Sequence, residues 1–174
     1  MSLIIISGPP GAGKSTVAGI VANGFEPSVL VDGDAFFGFI ARGAITPWTP
    51  EANAQNETVI RAAATSAGQF AAGGYTTVYD GVVGPWFLET FATAANADEI
   101  HYVMLLPTAD ECWSRVVSRE GHGFRDRVGT YKMHDEFARA DVDPRHVIRS
   151  SGETAEEVAD DILQRVADGT LVVR

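Results

Sequence analysis

Several residue types are scarce in this chain, and each shortage closes off a class of protein. Of 174 residues one is cysteine, Cys112, and a lone cysteine forms no internal disulfide, so a disulfide-stapled framework is excluded. Lysine occurs only at Lys14 and Lys132. The guanine-recognition motif of GTPases, Asn-Lys-x-Asp, needs a lysine that neither supplies, because Lys132 follows Tyr131. Long apolar runs are also missing. The stretch from Leu3 to Ile6 is short and lacks a basic start, unlike a secretory signal. The longest uncharged window, residues 62–79, contains Gly73-Gly74 and several hydroxyl side chains, which a lipid-spanning helix does not favour. A cytoplasmic protein with no membrane partner is the expectation.

Positive charge is short as well. The chain has 13 Lys and Arg against 23 Asp and Glu, a net charge of −10, which argues against nucleic acid as a partner. The deficit is uneven. Residues 1–109 carry three basic and nine acidic side chains, whereas seven of the eleven arginines lie in residues 115–149, so that one segment can meet an anion. The four histidines show no metal-ligand spacing. With no internal repeat and no Ser/Pro/Gly-rich linker, residues 1–174 read as one domain.

What the chain does have is the 45% hydrophobic, 21% charged balance of a globular protein and an alternation of apolar runs. Leu3 to Ile6 is a continuous aliphatic run ending in a Gly-rich turn, as in a strand buried on both faces of a parallel sheet. Residues 28–31, 76–79 and 100–106 read the same way, and residues 146–148 read as a last short strand. Val59, Ile60, Ala63, Ala67, Phe70 and Ala71 recur at helical spacing after Thr49-Pro50. Thr108 with Glu111, and Thr154 with Glu157, form capping boxes; the second opens a helix that Gly169 can end. The pattern predicts a doubly wound α/β fold with a parallel sheet, whose ligands bind beyond the carboxyl ends of the strands.

The first strand runs into Gly8-Pro9-Pro10-Gly11-Ala12-Gly13-Lys14-Ser15, which matches G-x-x-x-x-G-K-[ST] between a strand and a helix. Here Gly8, Gly11, Ala12, Gly13, Lys14, Ser15 and Thr16 would cradle a nucleoside triphosphate. The glycines let successive N–H groups point at phosphate oxygens, Lys14 would reach the β- and γ-phosphates, and the Ser15 hydroxyl would ligate Mg²⁺. Motor, helicase and transporter ATPases usually close an apolar strand with Asp-Glu, but Asp98-Glu99, Asp110-Glu111 and Asp135-Glu136 fall before strands or inside helices.

The second strand ends in Asp32-Gly33-Asp34, and at this point the chain resembles the small P-loop kinases: the shikimate, gluconate and adenylylsulfate kinases and chloramphenicol phosphotransferase, related to nucleoside monophosphate kinases. The resemblance covers nearly the whole chain in element order. It implies a P-loop fold of the nucleoside monophosphate kinase type, with a helical acceptor cap near residues 35–72 and an Arg-containing lid near 119–130. It implies Asp34 as the base or hydroxyl-orienting group and Asp32 near Mg²⁺; helix capping is the alternative for each. A carboxylate there meets an independent need, since a hydroxyl placed in line must lose its proton as the phosphoryl group transfers.

The third strand end, Asp80-Gly81, looks like that of nucleoside monophosphate kinases, which implies Asp80 beside a Mg²⁺-bound water. Those kinases follow Asp-Gly with an arginine. This chain reads Val82-Val83-Gly84-Pro85-Trp86, which favours a neutral or apolar hydroxyl acceptor over a nucleotide. Phe36, Phe37, Trp48 and Trp86 fall where the acceptor cap lies in that group, with core packing as the alternative for Phe37 and Trp86. Arg42, placed on the helix after Asp34, and Arg61 are candidate anchors for an acceptor anion, a solvated helix face being the alternative for Arg61. The run from Arg115 through Arg127 resembles the lid, implying Arg119 and Arg125 over the phosphates, with Arg115 and Arg127 as second choices and surface ion pairing as the alternative. The loop that passes the adenine in this group maps onto Ser150, Ser151 and Gly152. ATP and Mg²⁺ as cofactors, and a small-molecule hydroxyl as acceptor, follow from the resemblance. The competing readings are an ATPase or switch without acceptor chemistry and a polynucleotide 5′-hydroxyl kinase; the latter needs a basic channel that residues 1–109 do not supply.

Overall fold

A computed structural model describes residues 2–118 and 125–173. Five strands, β1 (Leu3–Ser7), β2 (Ser28–Asp32), β3 (Thr76–Asp80), β4 (Ile100–Leu105) and β5 (Val147–Ile148), form one parallel sheet in the order β2-β3-β1-β4-β5. The helices are α1 (Lys14–Asn23), α2 (Gly33–Phe37), α3 (Asn53–Ala72), α4 (Pro85–Ala95), α5 (Ala109–Ser118), α6 (Arg127–Arg139) and α7 (Ala155–Ala167). This is the doubly wound architecture expected from the alternating pattern.

The run in β1 explains the layering. Leu3, Ile4, Ile5 and Ile6 are all fully buried, and because successive strand residues point to opposite faces they divide between two cores. Leu3 and Ile5 pack with Ile60, Ala63 and Ala67 of α3, and with Phe91 of α4. Ile4 and Ile6 pack with Val17 and Val21 of α1 and with Val158 and Ile162 of α7. Both capping boxes form. Thr108 N–H donates to Glu111 Oε2 at 2.9 Å while Glu111 N–H donates to Thr108 Oγ1 at 3.3 Å; Thr154 and Glu157 repeat the arrangement at the start of α7, and Gly169, at φ +68°, follows its end.

Four expectations need correction. The Thr49-Pro50 signal opens a 3₁₀ turn, Pro50–Ala52, and α3 begins only at Asn53. His146 belongs to a second 3₁₀ turn ahead of β5. The cap expected over residues 35–72 divides: residues 47–49 and the first turns of α3, through Asn53, Asn56 and Ile60, line the site cavity, whereas the rest of α3 is the crossover helix of the sheet, with Ala63, Ala64 and Ala67 fully buried against it and against α4. Finally, α2 ends at Phe37, so Arg42 is on no helix. Of the lid expected over 119–130, residues 119–124, Arg119 among them, lie outside the described residues.

Phe91 is fully buried, with its ring 4.7 Å from that of Tyr79 and edge-to-face to it. Replacement by alanine removes a large side chain from the α3–α4 face, and Phe91→Ala is expected to lower stability by about 3–5 kcal/mol in chemical denaturation, with an unchanged denaturant slope.

Candidate active site

The turn after β1 is a phosphate-sized cradle by construction. Gly8, Gly11 and Gly13 have φ of +143°, +80° and +95°, a region that residues with a Cβ rarely enter. Space matters as much as angle at Gly11, because a Cβ there would collide with the backbone carbonyl of Cys112 on α5. Lys14 opens α1 and is buried, with Nζ donating to Pro9 O at 3.2 Å, folded across the loop. Ser15 and Thr16, both exposed, continue the first turn. Arg115 of α5 lies along the outside of the loop, its Nη1 at 3.4 Å from the carbonyls of Gly11 and Ala12.

The neighbouring strand brings an acid to this turn. Asp80 ends β3 beside Ile6 and Asp32. Burial pushes its carboxyl above the usual carboxylate range, while a hydrogen bond from the Ser15 side chain and the charge of Lys14 pull the other way. A hydroxyl and a carboxylate in contact at the head of a phosphate cradle are the hard oxygen donors that Mg²⁺ takes alongside substrate phosphates, so the residues present fit that ion. Asp32, beside Asp80 in the sheet, also caps a helix. Its Oδ1 accepts from Asp34 N–H at 2.9 Å and Ala35 N–H at 3.4 Å, capping α2, and among the described residues no three acidic, His or Cys side chains converge as a metal cage. The capping alternative for Asp32 is thus realised through one carboxylate oxygen, while its pairing with Asp80 keeps it at the same end of the sheet as the expected Mg²⁺ position.

The loop after β3 is fixed to the end of β1. Ser7 Oγ donates to Val83 O at 2.7 Å and accepts from Val83 N–H at 3.0 Å, and Tyr102 Oη donates to the same carbonyl at 2.9 Å. All three residues are fully buried. Val82 and Gly84, on either side of Val83, therefore sit at a set distance from the cradle, and they line a cavity of about 600 Å³ that also takes in Gly11, Lys14 and Ser15 at one end.

Asp34, Phe37, Trp48 and Trp86 all line that cavity, so four of the five expected acceptor-side residues are brought together with the P-loop. Phe36 is partly buried against the core instead. Arg42, the fifth, is exposed and does not line the cavity; Arg61 pairs with Glu57 at 2.8 Å on the solvated face of α3. Gly152, at φ +81°, forms the turn ahead of α7, away from the cavity lining, and Arg125 is exposed beyond it too. Composition and motif gave no sign of Asn53, Asn56 and Phe87, which also line the cavity, or of Lys132, Met133 and Glu136, contributed by α6. The spacing of Lys132, Met133 and Glu136 does place them on one helical face, but nothing in the sequence says which face turns inward.

Behind the cradle a second network ties the turns after β4 and β5. Glu111 Oε2 accepts from Ser151 Oγ and Thr108 Oγ1, each at 2.6 Å, which holds its carboxyl at about 2.

A sequence model of the AAA domain family matches residues 3–143. The chain belongs to that P-loop family. No curated protein matches its sequence significantly. Among solved structures, this family member resembles a sugar kinase from Janibacter sp. HTCC2649, with TM-score 0.73 and 18% identity over 96% of this chain and 95% of that one. It also resembles the Mycobacterium tuberculosis APS kinase in complex with AMPPNP and APS, with TM-score 0.74 and 17% identity over 95% and 97%, and a gluconokinase from Sinorhizobium meliloti 1021, with TM-score 0.67 and 17% identity over 97% and 93%. These likenesses establish the P-loop kinase-like fold of this member of the AAA domain family. Among its described residues no helix is long and apolar enough to cross a membrane.

Two outcomes follow for the cradle and the network behind it. Gly11→Ala should abolish nucleotide binding in calorimetric titration, because the new methyl group and the left-handed φ are both disallowed there. Glu111→Gln should cost no more than about 1 kcal/mol at neutral pH once solvent screening is counted. The folded carboxyl titrates below its ordinary 4.5, so its contribution is present above that value and is lost as pH falls toward about 2. Thermal melts of the two proteins should therefore converge across that window.

Proposed function

We propose that this chain is a small-molecule kinase that moves the γ-phosphoryl group of Mg-ATP to a hydroxyl of its acceptor. The observation that carries the reading is the continuity of one cavity from Lys14 and Ser15 to Asp34 and a largely apolar far wall. A switch or bare ATPase has no use for a second chamber beside the phosphate end.

In this reading the loop amides and Lys14 bind the triphosphate and hold its terminal phosphoryl group toward the cavity. Ser15 and Asp80 would hold Mg²⁺, which when bound neutralises charge between the β- and γ-phosphates. Asp34 orients the acceptor hydroxyl and takes its proton as the new O–P bond forms and the bond to the β-phosphate oxygen breaks, releasing ADP. Arg125 and Arg119 remain the arginines proposed to stabilise the transferring charge, and the Gly152 turn the one proposed to pass the base. The protein is taken as a cytoplasmic single domain acting on a small molecule, with neither nucleic acid nor membrane as partner.

Coupled detection of ADP release across a panel of sugars, polyols and antibiotics tests the proposal. Turnover should depend on an acceptor and vanish in Lys14→Ala. Asp34→Asn should lower turnover by roughly 10²–10⁴-fold with little change in ATP affinity. Equal losses of turnover and affinity would contradict the base assignment, and intact ATP binding with no acceptor-dependent turnover would sink the kinase reading.

A further inference from the structure

We infer that the acceptor is an uncharged hydroxyl compound carrying a flat apolar ring, packed against the indoles of Trp48 and Trp86. This rests on the phosphotransfer reading of the same cavity and narrows its acceptor from shape and charge.

The walls come first. Phe37, Trp48, Ile60, Val82, Trp86 and Phe87 give the cavity an apolar, mostly aromatic lining beyond Asp34, the surface that stacks a ring and desolvates it. Both indoles are seated where a glycine makes room. A Cβ at Gly84 would collide with the Trp86 ring, and one at Gly129 of α6 would lie 3.3 Å from Trp48 Nε1. Trp86 also leans on buried Phe137, with centroids 5.2 Å apart, yet keeps 49% of its surface exposed. A large aromatic is left open on the wall of the cavity that Asp34 also lines, and a ligand ring would cover it.

The Trp48 wall is preassembled by side chains that grip its backbone. Gln55 clamps Ile45 twice, Oε1 accepting from its N–H at 2.7 Å and Nε2 donating to its carbonyl at 2.8 Å. Asn56 Nδ2 donates to Pro47 O at 2.7 Å, and Lys132 Nζ to Trp48 O at 3.1 Å. Three clamps from α3 and α6 thus hold residues 45–48, and a wall fixed before binding costs little ordering when the ligand arrives.

Charge selects against acids. Apart from Lys14 and Asp34, the charged groups lining the cavity are Lys132 and Glu136, 3.9 Å from each other, and Lys132 is already committed to Trp48 O. No arginine among the described residues lines it. A carboxylate or phosphate on the acceptor would be desolvated beside Asp34 and Glu136, with no guanidinium among the described lining residues to receive it and with Lys132 already paired to Glu136.

Calorimetric titration of the full chain with matched pairs that differ only by a carboxylate in place of a hydroxymethyl group decides the matter: phenyl glucoside against phenyl glucuronide, and phenylethanediol against mandelate, with glucose as the control lacking an aromatic ring. The neutral aryl members should bind at least about tenfold more tightly than the acids and than glucose, and Trp48→Ala or Trp86→Ala should remove that advantage. Lys132→Met should weaken aryl binding in the native chain and add nothing in the Trp48→Ala background, a coupling that general destabilisation would not produce. The assignment is overturned if the acids bind as well as the neutral partners, if no neutral aryl member binds saturably at millimolar concentration, or if the preference survives loss of both indoles. The phosphotransfer reading fails on a different result: indole-dependent binding without any Lys14-dependent ADP release from Mg-ATP.

Discussion

The pairing of β3 with both of its neighbours is the constraint on which the site depends. Ile6, Asp80 and Asp32 stand abreast across three parallel strands, so the turns that follow them open onto the same end of the sheet. A slip of one residue would turn Asp80 to the opposite face and lose its contact with Ser15. The register is held by burial on both sides, since Val78 belongs to one core and Tyr79 to the other. Tyr79 also defines the turn after β2, because its hydroxyl occupies the place a Cβ on Gly33 would take.

Local electrostatics then set what an acidic protein can hold. The net charge is −10, and burial raises the Asp80 carboxyl above its usual range, but Ser15 and Lys14 oppose that within the cradle. Burial first, and then the charges of Asp34, Asp80 and Asp32, push the Tyr79 hydroxyl well above its ordinary range, so that phenol stays neutral and serves as packing. The charges that matter are those gathered at the P-loop turn, Lys14 and Asp80, where net charge is a poor guide.

Much of this was legible in the residues. The aliphatic run of β1 announced a strand buried on both faces, the capping boxes at Thr108 and Thr154 formed as written, and Gly11 to Ser15 named their own turn. What escaped the sequence has a common physical character. The clamps of Gln55, Asn56 and Lys132 join side chains to backbone at non-periodic distances, and such bonds leave no hydropathy signature. Gly84 and Gly129 are small because an indole lies against them, and for Gly129 that indole is some eighty positions earlier in the chain. Asp32 and Asp34 differ by one hydrogen-bond pattern, cap against cavity, which composition cannot separate. Arg42 was misplaced because α2 stops after five residues, too short for any periodic signal.

The bond set joining Ser7, Val83 and Tyr102 has a further consequence. It welds the P-loop end of the cavity and its β3 side to the sheet, whereas residues 45–48 are gripped by polar clamps from α3 and α6. Evolution can therefore rewrite that loop without disturbing the P-loop turn. A fixed cradle with an exchangeable front wall is a design that lets a single scaffold vary what it admits while the P-loop end stays the same.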